Sequence, residues 1–413
     1  MHVHPAPSSR SEFEIAIICA LGVEADAVSY VFDQFWDENG RQYGRALGDF
    51  NHYTTGRIGH HNVVLALLPN IGKAGAASAA VSLRSSYPNV RLVLVIGVCG
   101  AVPYSQQGDV LLGDVVISTT VVQHDFGRQY TDRFIRKDTV SDNLGRPNKD
   151  VRSLLMTLGM GRERDRMERQ TVNFLQQIQA KASQSRRDWS SKYVYPGAER
   201  DRLFEPGYRH KHRGRPTCVC RDCHGDADPV CQDALVSSCD YIGCDESHLI
   251  SRERLRAVRA GATPHPVVHL GATASGDMVI KSATARDRLA REGGVVMLEM
   301  EGAGVWEEFP CIVVKGVCDY ADSHKNKSWQ PYAAATAAAA SKAILERYTK
   351  TERPVSETQT QFQYRSPLSP DQGNEPRVSS HGPVFNGPIS GTNVVAGTTT
   401  TGGVVNFNFG QQQ

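Results

Sequence analysis

Short β-branched runs that alternate with helix-compatible stretches are the feature that most constrains how this chain can fold. Such alternation is typical of an α/β domain whose strands are buried on both faces. A polar, arginine-rich stretch interrupts the pattern, which then resumes. We therefore predict one α/β domain over residues 13–350, with a core at 13–126 and 265–350 and a long irregular insertion at 127–264.

The individual runs predict the order of strands and helices within this core. The predicted strands are "FEIAIICAL" at 13–21, "NVVLALL" at 62–68, "RLVLVIGV" at 91–98, "DVVISTTVV" at 114–122, "VVMLEME" at 295–301 and "CIVVKGV" at 311–317. The stretch "ATARDRLAREGG" ends in glycine as helices commonly do, and the alanine-rich "YAAATAAAASKAILERYT" has high helix propensity. We expect the second of these helices to close the domain.

Charge and hydropathy exclude two classes of partner. The formal net charge is +2, which gives no support to a nucleic-acid-binding surface. The start, "MHVHPAPSSRSEFE", has no apolar segment typical of a signal peptide, and no apolar run approaches the roughly 20 residues that span a membrane. We therefore expect a cytoplasmic protein that binds neither membrane nor nucleic acid.

The insertion contains a cluster of cysteines that needs a local explanation. Of the ten cysteines in the chain, six fall within 218–244. The spacing of four of them suits a structural tetrahedral zinc site: Cys220, Cys223, Cys239 and Cys244. Cys218 and Cys231 leave the choice of ligands open, and free, locally packed thiols are the alternative.

The rest of the insertion is basic and lacks regularly spaced aromatic residues. Its segments "GRERDRMERQ" and "YRHKHRGRP" therefore indicate a flexible cover over a site rather than a nucleic-acid surface. We predict a short helix in "TVNFLQQIQA".

Seven motifs occur in the order and approximate spacing of one known superfamily: "IAIICALGVEADAV", "NIGKAGAA", "VLVIGVCGAV", "GDVVIS", "ATASGDMVI", "LEMEGAG" and "VKGVCDYADSHKNKSWQ". The chain resembles the nucleoside phosphorylases and nucleosidases, and most of all their fungal branch, which often supplies the N-terminal effector domain of NOD-like receptor proteins. The resemblance implies a three-layer α/β fold with a mixed central sheet, cleavage of a purine N-glycosidic bond, and no required cofactor.

The resemblance also implies roles for individual residues. Asp319 corresponds to the aspartate that protonates or hydrogen-bonds the purine at N7, and Glu24 to the glutamate that activates water. The implied substrate-binding residues are Glu299, Met300, Glu301, Gly97, Cys99, Gly100, Val279 and Ile280. From the residues alone, Asp319 also suits a turn or a helix N-cap, and Glu24 an ordinary acid in the first turn of a helix.

The motif "VVMLEMEGAG" places two carboxylates at the end of an apolar run. In a strand, Glu299 and Glu301 would share one face, where a ligand's hydroxyl groups could compensate their burial. Alternatively, the strand ends at Met300 and Glu301 begins a helix, whose positive end favours an acid.

Two valines favour water over phosphate as the nucleophile. Phosphorylases of the superfamily bind phosphate through an arginine and a serine, at the positions that Val95 and Val98 occupy here. Neither valine side chain can donate a hydrogen bond to an anion, although backbone amides of a loop at 97–100 could. If the substrate carries a 5′-phosphate, "HKNK" at 324–327 or the basic insertion could neutralise it.

Beyond residue 350, the composition changes to that of a tail. Residues 351–382 are typical of a disordered linker. Residues 383–409 carry no charge and end in the alternating "VVNFNF", which favours cross-β stacking. This segment resembles the sigma-type amyloid signalling motif of fungal programmed cell death, which implies a NOD-like receptor partner that shares the motif.

The combined prediction is a homo-oligomeric immune effector that hydrolyses purine nucleosides or nucleotides when amyloid templating activates it. One alternative is a non-catalytic module that senses nucleosides or serves as a scaffold. The other is a phosphate-dependent nucleoside phosphorylase.

Overall fold

A nine-stranded mixed sheet forms the centre of the larger of two units, Met1–Thr351 and Glu352–Gln413. The computed structural model describes residues 5–185, 189, 191–225, 228–349, 395–401 and 404–409. The predicted linker at 351–382 lies outside the described residues.

The strands and helices follow the predicted alternation. The strands are β1 (Ile15–Cys19), β2 (Gln34–Phe35), β3 (Tyr53–Ile58), β4 (His61–Leu67), β5 (Leu92–Ala101), β6 (Tyr104–Ser105), β7 (Gly108–Asp109), β8 (Val115–Gln123), β9 (Gly127–Gln129), β10 (Phe134–Arg136), β11 (Val268–Ser275), β12 (Val295–Glu299), β13 (Cys311–Asp319), β14 (Val395–Thr401) and β15 (Val404–Phe409). The helices are α1 (Gly22–Ser29), α2 (Lys73–Ser86), α3 (Lys149–Leu158), α4 (Gly161–Ser183), α5 (Gln232–Val236), α6 (Cys239–Ile242), α7 (Glu253–Arg259), α8 (Ala283–Gly293), α9 (Gly302–Trp306) and α10 (Gln330–Arg347).

The sheet closes on itself at one end. Its strand order is β12-β11-β8-β13-β5-β1-β4-β3-β2, and β12 pairs with β5 as well as with β11. Five strands therefore form a small barrel, while β1, β4, β3 and β2 continue as an open sheet. Strand β1 runs parallel to β4 and β5, whereas β13 runs antiparallel to β8. The predicted mixed α/β fold is confirmed.

Two strand ends differ from the prediction in ways that matter for the site. Residues 97–100 belong to β5 and pair with β13, so they are not a loop. Strand β12 ends at Glu299, and Glu301 is the N-cap of α9. The structure therefore matches the alternative in which the strand ends before a helix begins.

Helix α10 lies directly against the barrel because its residues are small. Its alanines from Ala333 to Ala340 are buried, and it contacts β13 and β5. A Cβ atom at Gly316 on β13 would overlap the backbone of Ala333. Small residues on both sides thus allow this close approach, which positions the loop between β13 and α10 over the end of the barrel.

The insertion is more regular than predicted. Helix α4 spans 23 residues and contains both "GRERDRMERQ" and "TVNFLQQIQA". Its buried residues recur at helical spacing and pack against α10 within the main hydrophobic cluster: Met167, Thr171, Phe174, Leu175, Ile178 and Ala182. The expectation of a flexible cover is therefore wrong for this segment, because one face of a basic helix still carries an apolar stripe.

The described part of the tail is a hairpin. Strands β14 and β15 pair antiparallel, with Thr401 opposite Val404 and Val395 opposite Phe409. The rest of the predicted assembly segment, including 383–394, lies outside the described residues.

Among the described helices, none combines the length and the apolar character needed to cross a lipid bilayer.

Candidate active site

A cavity of about 400 Å³ opens where several strands of the barrel end, next to the loop between β13 and α10. Its volume is suitable for a small ligand such as a nucleoside. Eight of the predicted site residues line it: Glu24, Cys99, Gly100, Val279, Ile280, Glu299, Met300 and Glu301. The fold therefore brings together these residues from four separate segments of the chain.

Glu24 is a buried carboxylate fixed by backbone amides. Its Oε2 accepts hydrogen bonds from the N–H groups of Ala20 and Leu21, each at 2.9 Å, and its Oε1 accepts one from Val98 at 2.9 Å. Burial raises the pKa of Glu24 above its ordinary value. The nearby Lys315 acts against this shift, and Glu301 adds to it. Glu24 thus caps α1, as the simpler interpretation expected, and also presents a carboxylate to the cavity.

Gly97 makes room for this carboxylate. A Cβ atom at Gly97 would overlap the Glu24 carboxylate. The residue therefore contributes to the site through the space that it leaves for Glu24.

Glu299 and Glu301 have different partners although they are two residues apart. The oxygens of Glu299 accept hydrogen bonds from the N–H groups of Glu301 and Gly302, at 2.9–3.0 Å. Oε2 of Glu301 lies 2.9 Å from Lys315 Nζ. Glu299 therefore forms part of the cavity wall but uses its carboxylate to cap α9, while Glu301 has remaining acceptor capacity for a ligand.

Lys315 is a buried residue beside this cavity that the sequence analysis missed. Its side chain on β13 is 1% exposed, and its Nζ also lies 3.6 Å from Glu299 Oε2. Burial alone would lower the pKa of Lys315, but Glu301, Glu299 and Glu24 together raise it. The signal was present in the sequence: "CIVVKGV" has one lysine inside an apolar strand, and a buried lysine needs a carboxylate partner.

Asp319 lines an adjoining cavity of about 370 Å³ and is held by Lys325. Its Oδ2 lies 2.9 Å from Lys325 Nζ, and its Oδ1 accepts a hydrogen bond from the N–H of Ala321 at 2.9 Å. Lys325 lines both cavities. Burial alone would lower the pKa of Lys325, but Asp319 raises it. A ligand that draws Lys325 away would leave Asp319 free to form a new hydrogen bond.

The sequence of the chain is similar to those of known proteins. Residues 14–158 match the model of the phosphorylase superfamily. Over this span, the chain is similar to the phosphorylase superfamily. A nucleotide-binding leucine-rich repeat (NLR)-like protein of Hyaloscypha variabilis is 32% identical over 340 residues, which are 81% of this chain and 29% of that protein. The chain thus spans less than a third of the length of this relative.

Solved structures were matched at lower identity. Futalosine hydrolase of Helicobacter pylori is 16% identical, with 82% of this chain and 100% of that chain covered and a TM-score of 0.46. A 5′-methylthioadenosine/S-adenosylhomocysteine nucleosidase of Colwellia psychrerythraea is 13% identical, with 82% and 96% covered and a TM-score of 0.46.

The positions at which phosphorylases of this superfamily bind phosphate offer little to an anion here. Val95 is buried in β5, and Val98 lines the cavity without a side-chain donor. The backbone N–H of Val98 already donates to Glu24. The amide at this position is therefore engaged, so it is not available to a phosphate ion.

Three lysines supply positive charge around the cavity: Lys281, Lys325 and Lys327. The predicted basic segment at 324–327 therefore contributes Lys325 and Lys327, whereas His324 lines the adjoining cavity. Lys281 was not predicted, because a single lysine after a loop gives no signal of its own.

The predicted zinc ligands do not form one site. Cys220 groups with His212, Cys218 and Cys231, whereas Cys239 and Cys244 group with His210. Cys223 belongs to neither group, and its Sγ lies 3.1 Å from Arg209 Nη1. The ligand set inferred from the sequence is therefore wrong, because cysteine spacing alone does not show which histidines the chain folds back toward.

Proposed function

We propose that this chain hydrolyses the N-glycosidic bond of a purine nucleoside or nucleotide. The observation that carries the proposal is the pair of carboxylates, Glu24 and Glu301, that line one cavity of about 400 Å³ beside the loop that begins at Asp319. The match of residues 14–158 to the phosphorylase superfamily supports the same class of chemistry.

Each carboxylate has a distinct task in this proposal. Glu24 takes a proton from water as the water oxygen bonds to C1′ of the sugar, and its raised pKa favours this role near neutral pH. Glu301 accepts hydrogen bonds from the ribose hydroxyl groups. Asp319 donates a proton or a hydrogen bond to N7 of the purine, so that the base leaves with the electron pair of the broken C1′–N9 bond.

The lysines favour a substrate with a negatively charged 5′ group. Lys281 and Lys327 are exposed, and Lys325 is 25% exposed in its ion pair with Asp319. Phosphate oxygens are suitable partners for such ammonium groups. A nucleotide that draws Lys325 away from Asp319 would also release Asp319 toward the purine.

Product analysis tests the reaction. The purified chain is incubated with adenosine, methylthioadenosine, AMP and ATP, with and without inorganic phosphate, and the base and the sugar product are identified. We expect the free base and an unphosphorylated C1′ hydroxyl, independent of added phosphate. A sugar 1-phosphate formed only with phosphate would identify a phosphorylase, and binding without turnover would identify a nucleoside sensor or scaffold.

We further propose that residues 383–409 couple this activity to a cytoplasmic immune receptor through cross-β assembly, with the chain acting as a homo-oligomer in a cell-death response. Two observations support the proposal: a fungal NLR-like protein is among the relatives, and the described part of the segment is a β-hairpin. Identical charge-free hairpins can stack as layers.

A peptide of residues 383–409 tests this second proposal. We expect fibrils with the spacing of about 4.7 Å that separates stacked strands. Val404→Asp places a charge in every layer, so fibril formation should fall sharply, whereas hydrolysis of free substrate by the full chain should not change. A peptide that stays monomeric, or a variant that assembles equally well, would contradict the proposal.

A further inference from the structure

The insertion brings cysteine and histidine side chains together in two places that the proposed hydrolysis does not use. In the first cluster, His212, Cys218, Cys220 and Cys231 place their ligand atoms within 4.8 Å of one another. His212 Nδ1 lies 3.6 Å from Cys218 Sγ and 3.3 Å from Cys231 Sγ. Two ligands of one tetrahedral zinc ion, with Zn–S near 2.3 Å and Zn–N near 2.0–2.1 Å, would lie about 3.6 Å apart. The side chains therefore already have the spacing of a zinc site.

The groups around the first cluster orient its ligands as a metal requires. Nε2 of His212 lies 3.2 Å from Asp233 Oδ2 but not in hydrogen-bond geometry, and Nδ1 faces the sulfurs. The backbone N–H of Cys231 donates to Cys220 Sγ at 3.4 Å, and that of Ala234 donates to Cys231 Sγ at 3.4 Å. A carboxylate behind the histidine and N–H groups on the sulfurs are both typical of the outer shell of metal sites.

The second cluster has the same character. His210 Nδ1 lies 3.6 Å from Cys239 Sγ and 3.4 Å from Cys244 Sγ. Its other nitrogen, Nε2, lies 2.9 Å from the carbonyl oxygen of Ser237. Three ligands are thus arranged around one point, and a tetrahedral site needs a fourth.

His324 is placed to be this fourth ligand. Its ring centroid lies 5.3 Å from that of His210. Within the described residues, the Nε2 atom of His324 is buried and has no hydrogen-bond partner, while Nδ1 lies 3.9 Å from Asp322 Oδ1. A buried nitrogen without a partner is costly, and a metal ion would satisfy it.

The surrounding segment also needs a source of stability other than apolar packing. Among the described residues of 204–249, none belongs to a hydrophobic core cluster, and the secondary structure consists of single helical turns and one isolated bridge. Segments that lack an apolar core commonly depend on a metal or on disulfides, and all the cysteines here are free.

We propose that the insertion binds two structural zinc ions, one through His212, Cys218, Cys220 and Cys231 and the other through His210, Cys239, Cys244 and His324. Sulfur and imidazole donors in tetrahedral groups favour zinc among the common metals. The second ion joins the insertion to the loop that carries Lys325 next to Asp319. A hydrogen bond from the backbone N–H of His210 to Ser323 Oγ, at 3.1 Å, already connects the same two segments.

Metal content of the purified full chain tests this inference independently of any enzymatic activity. We expect two zinc ions per chain by elemental analysis, about one in Cys231→Ser and about one in Cys239→Ser. Cys223→Ser is the matched control, because Cys223 is more buried than Cys231 and Cys239 but lies outside both clusters, and it should retain both ions. Wild-type protein without zinc, or a loss of zinc in the Cys223 variant equal to that in the others, would overturn the proposal.

The fourth ligand and any unfolded variant need separate measurements. With cobalt in place of zinc, His324→Gln should change the absorption of the Cys239–Cys244 site relative to the wild type and speed the release of one ion to a chelator. Unchanged spectra and release would exclude His324. If the cysteine variants do not fold, chelation of the wild type should expose 204–249 to proteolysis before the core, and equal protection with and without chelator would contradict the proposal.

Discussion

Acids lie beside lysines in two places around the cavity, and the two places differ in burial. We call the buried group of Lys315, Glu299 and Glu301 the floor of the cavity, and the more exposed group of Lys325, Lys327 and Asp319 its mouth. At the floor, Lys315 is 1% exposed and contacts Glu299 and Glu301. At the mouth, Lys325 is 25% exposed and contacts Asp319. A buried ion pair is rigid because separating it would leave an unpaired charge in the protein interior, whereas a partly exposed pair can exchange partners with water or a ligand.

This difference indicates that the floor and the mouth have separate roles. The floor holds its carboxylates in place before any ligand arrives, which favours precise positioning of the sugar and water. The mouth keeps Asp319 occupied until a ligand competes for Lys325. The comparison therefore predicts that changes at the floor act on the fold, while changes at the mouth act on turnover.

The largest effect should come from Lys315→Met. Removing the cation leaves Glu24, Glu299 and Glu301 close together without compensation, and breaking a buried ion pair costs about 3–5 kcal/mol. Urea unfolding measures the decrease in the free energy of unfolding.

Lys342→Met is the control for Lys315→Met. Lys342 is also buried, but its partner Asp33 is 42% exposed and remains solvated, so we expect a loss on the order of 1 kcal/mol. Equal losses in the two variants would remove the distinction between the floor and an ordinary ion pair.

Asp319→Asn should act on turnover instead. The variant keeps the acceptor for the Ala321 amide but cannot donate a proton to the leaving base, so base release should fall about 10²- to 10⁴-fold. Steady-state kinetics with adenosine and ATP measure the change, and thermal unfolding should be nearly unaltered.

Asp26→Asn is the matched control for Asp319→Asn. Asp26 pairs with Lys192 and is 47% exposed, and it does not line the cavity, so its loss should leave turnover unchanged. Wild-type turnover in the Asp319 variant would exclude it as the proton donor.

The sequence predicted the parts of this site that depend on local patterns. The sequence motifs that resemble the nucleosidases identified Glu24, Glu301 and Asp319, and these residues follow or end strands, where α/β sheets bind ligands. It did not predict that Glu299 caps α9, since two acids at alternate positions look alike until the strand end is known.

Contacts between distant segments could not be predicted from the sequence. Lys315 and Glu301 are 14 residues apart and meet only because β12 and β13 both contribute to the barrel. The proposed link between His210 and His324 joins an insertion to a core loop. Spacing along the chain carries no information on such pairs, so the predicted cysteine set was incomplete and partly misassigned.

The pH dependence of turnover tests the proposed role of Glu24 without any substitution. The pKa of Glu24 is raised by burial, and a general base works only when it is ionised. Activity should therefore fall as the pH decreases through this raised pKa, so the acidic limb of kcat/KM should lie above the 4.5 of an ordinary glutamate. A limb at or below 4.5 would mean that Glu24 is not the base or that its burial is relieved in solution.

The smallest effect should come from Lys327→Ala at the mouth. Lys327 is exposed, so its interaction with a 5′-phosphate is screened and contributes about 0.2–1 kcal/mol. That range corresponds to a fall of about 1.5- to 5-fold in kcat/KM for ATP, with adenosine unchanged because it carries no charge at the 5′ position.

The same removal of charge at the exposed Lys149, which lies outside the cavity lining, should change kcat/KM for neither substrate. Raising the ionic strength should reduce the preference for ATP in the wild type and have less effect in the variant, since one screened contact has already been removed. An equal loss of kcat/KM for ATP and adenosine would show that Lys327 stabilises the loop and does not bind the phosphate. The mouth, like the floor, would then act through the structure of the protein.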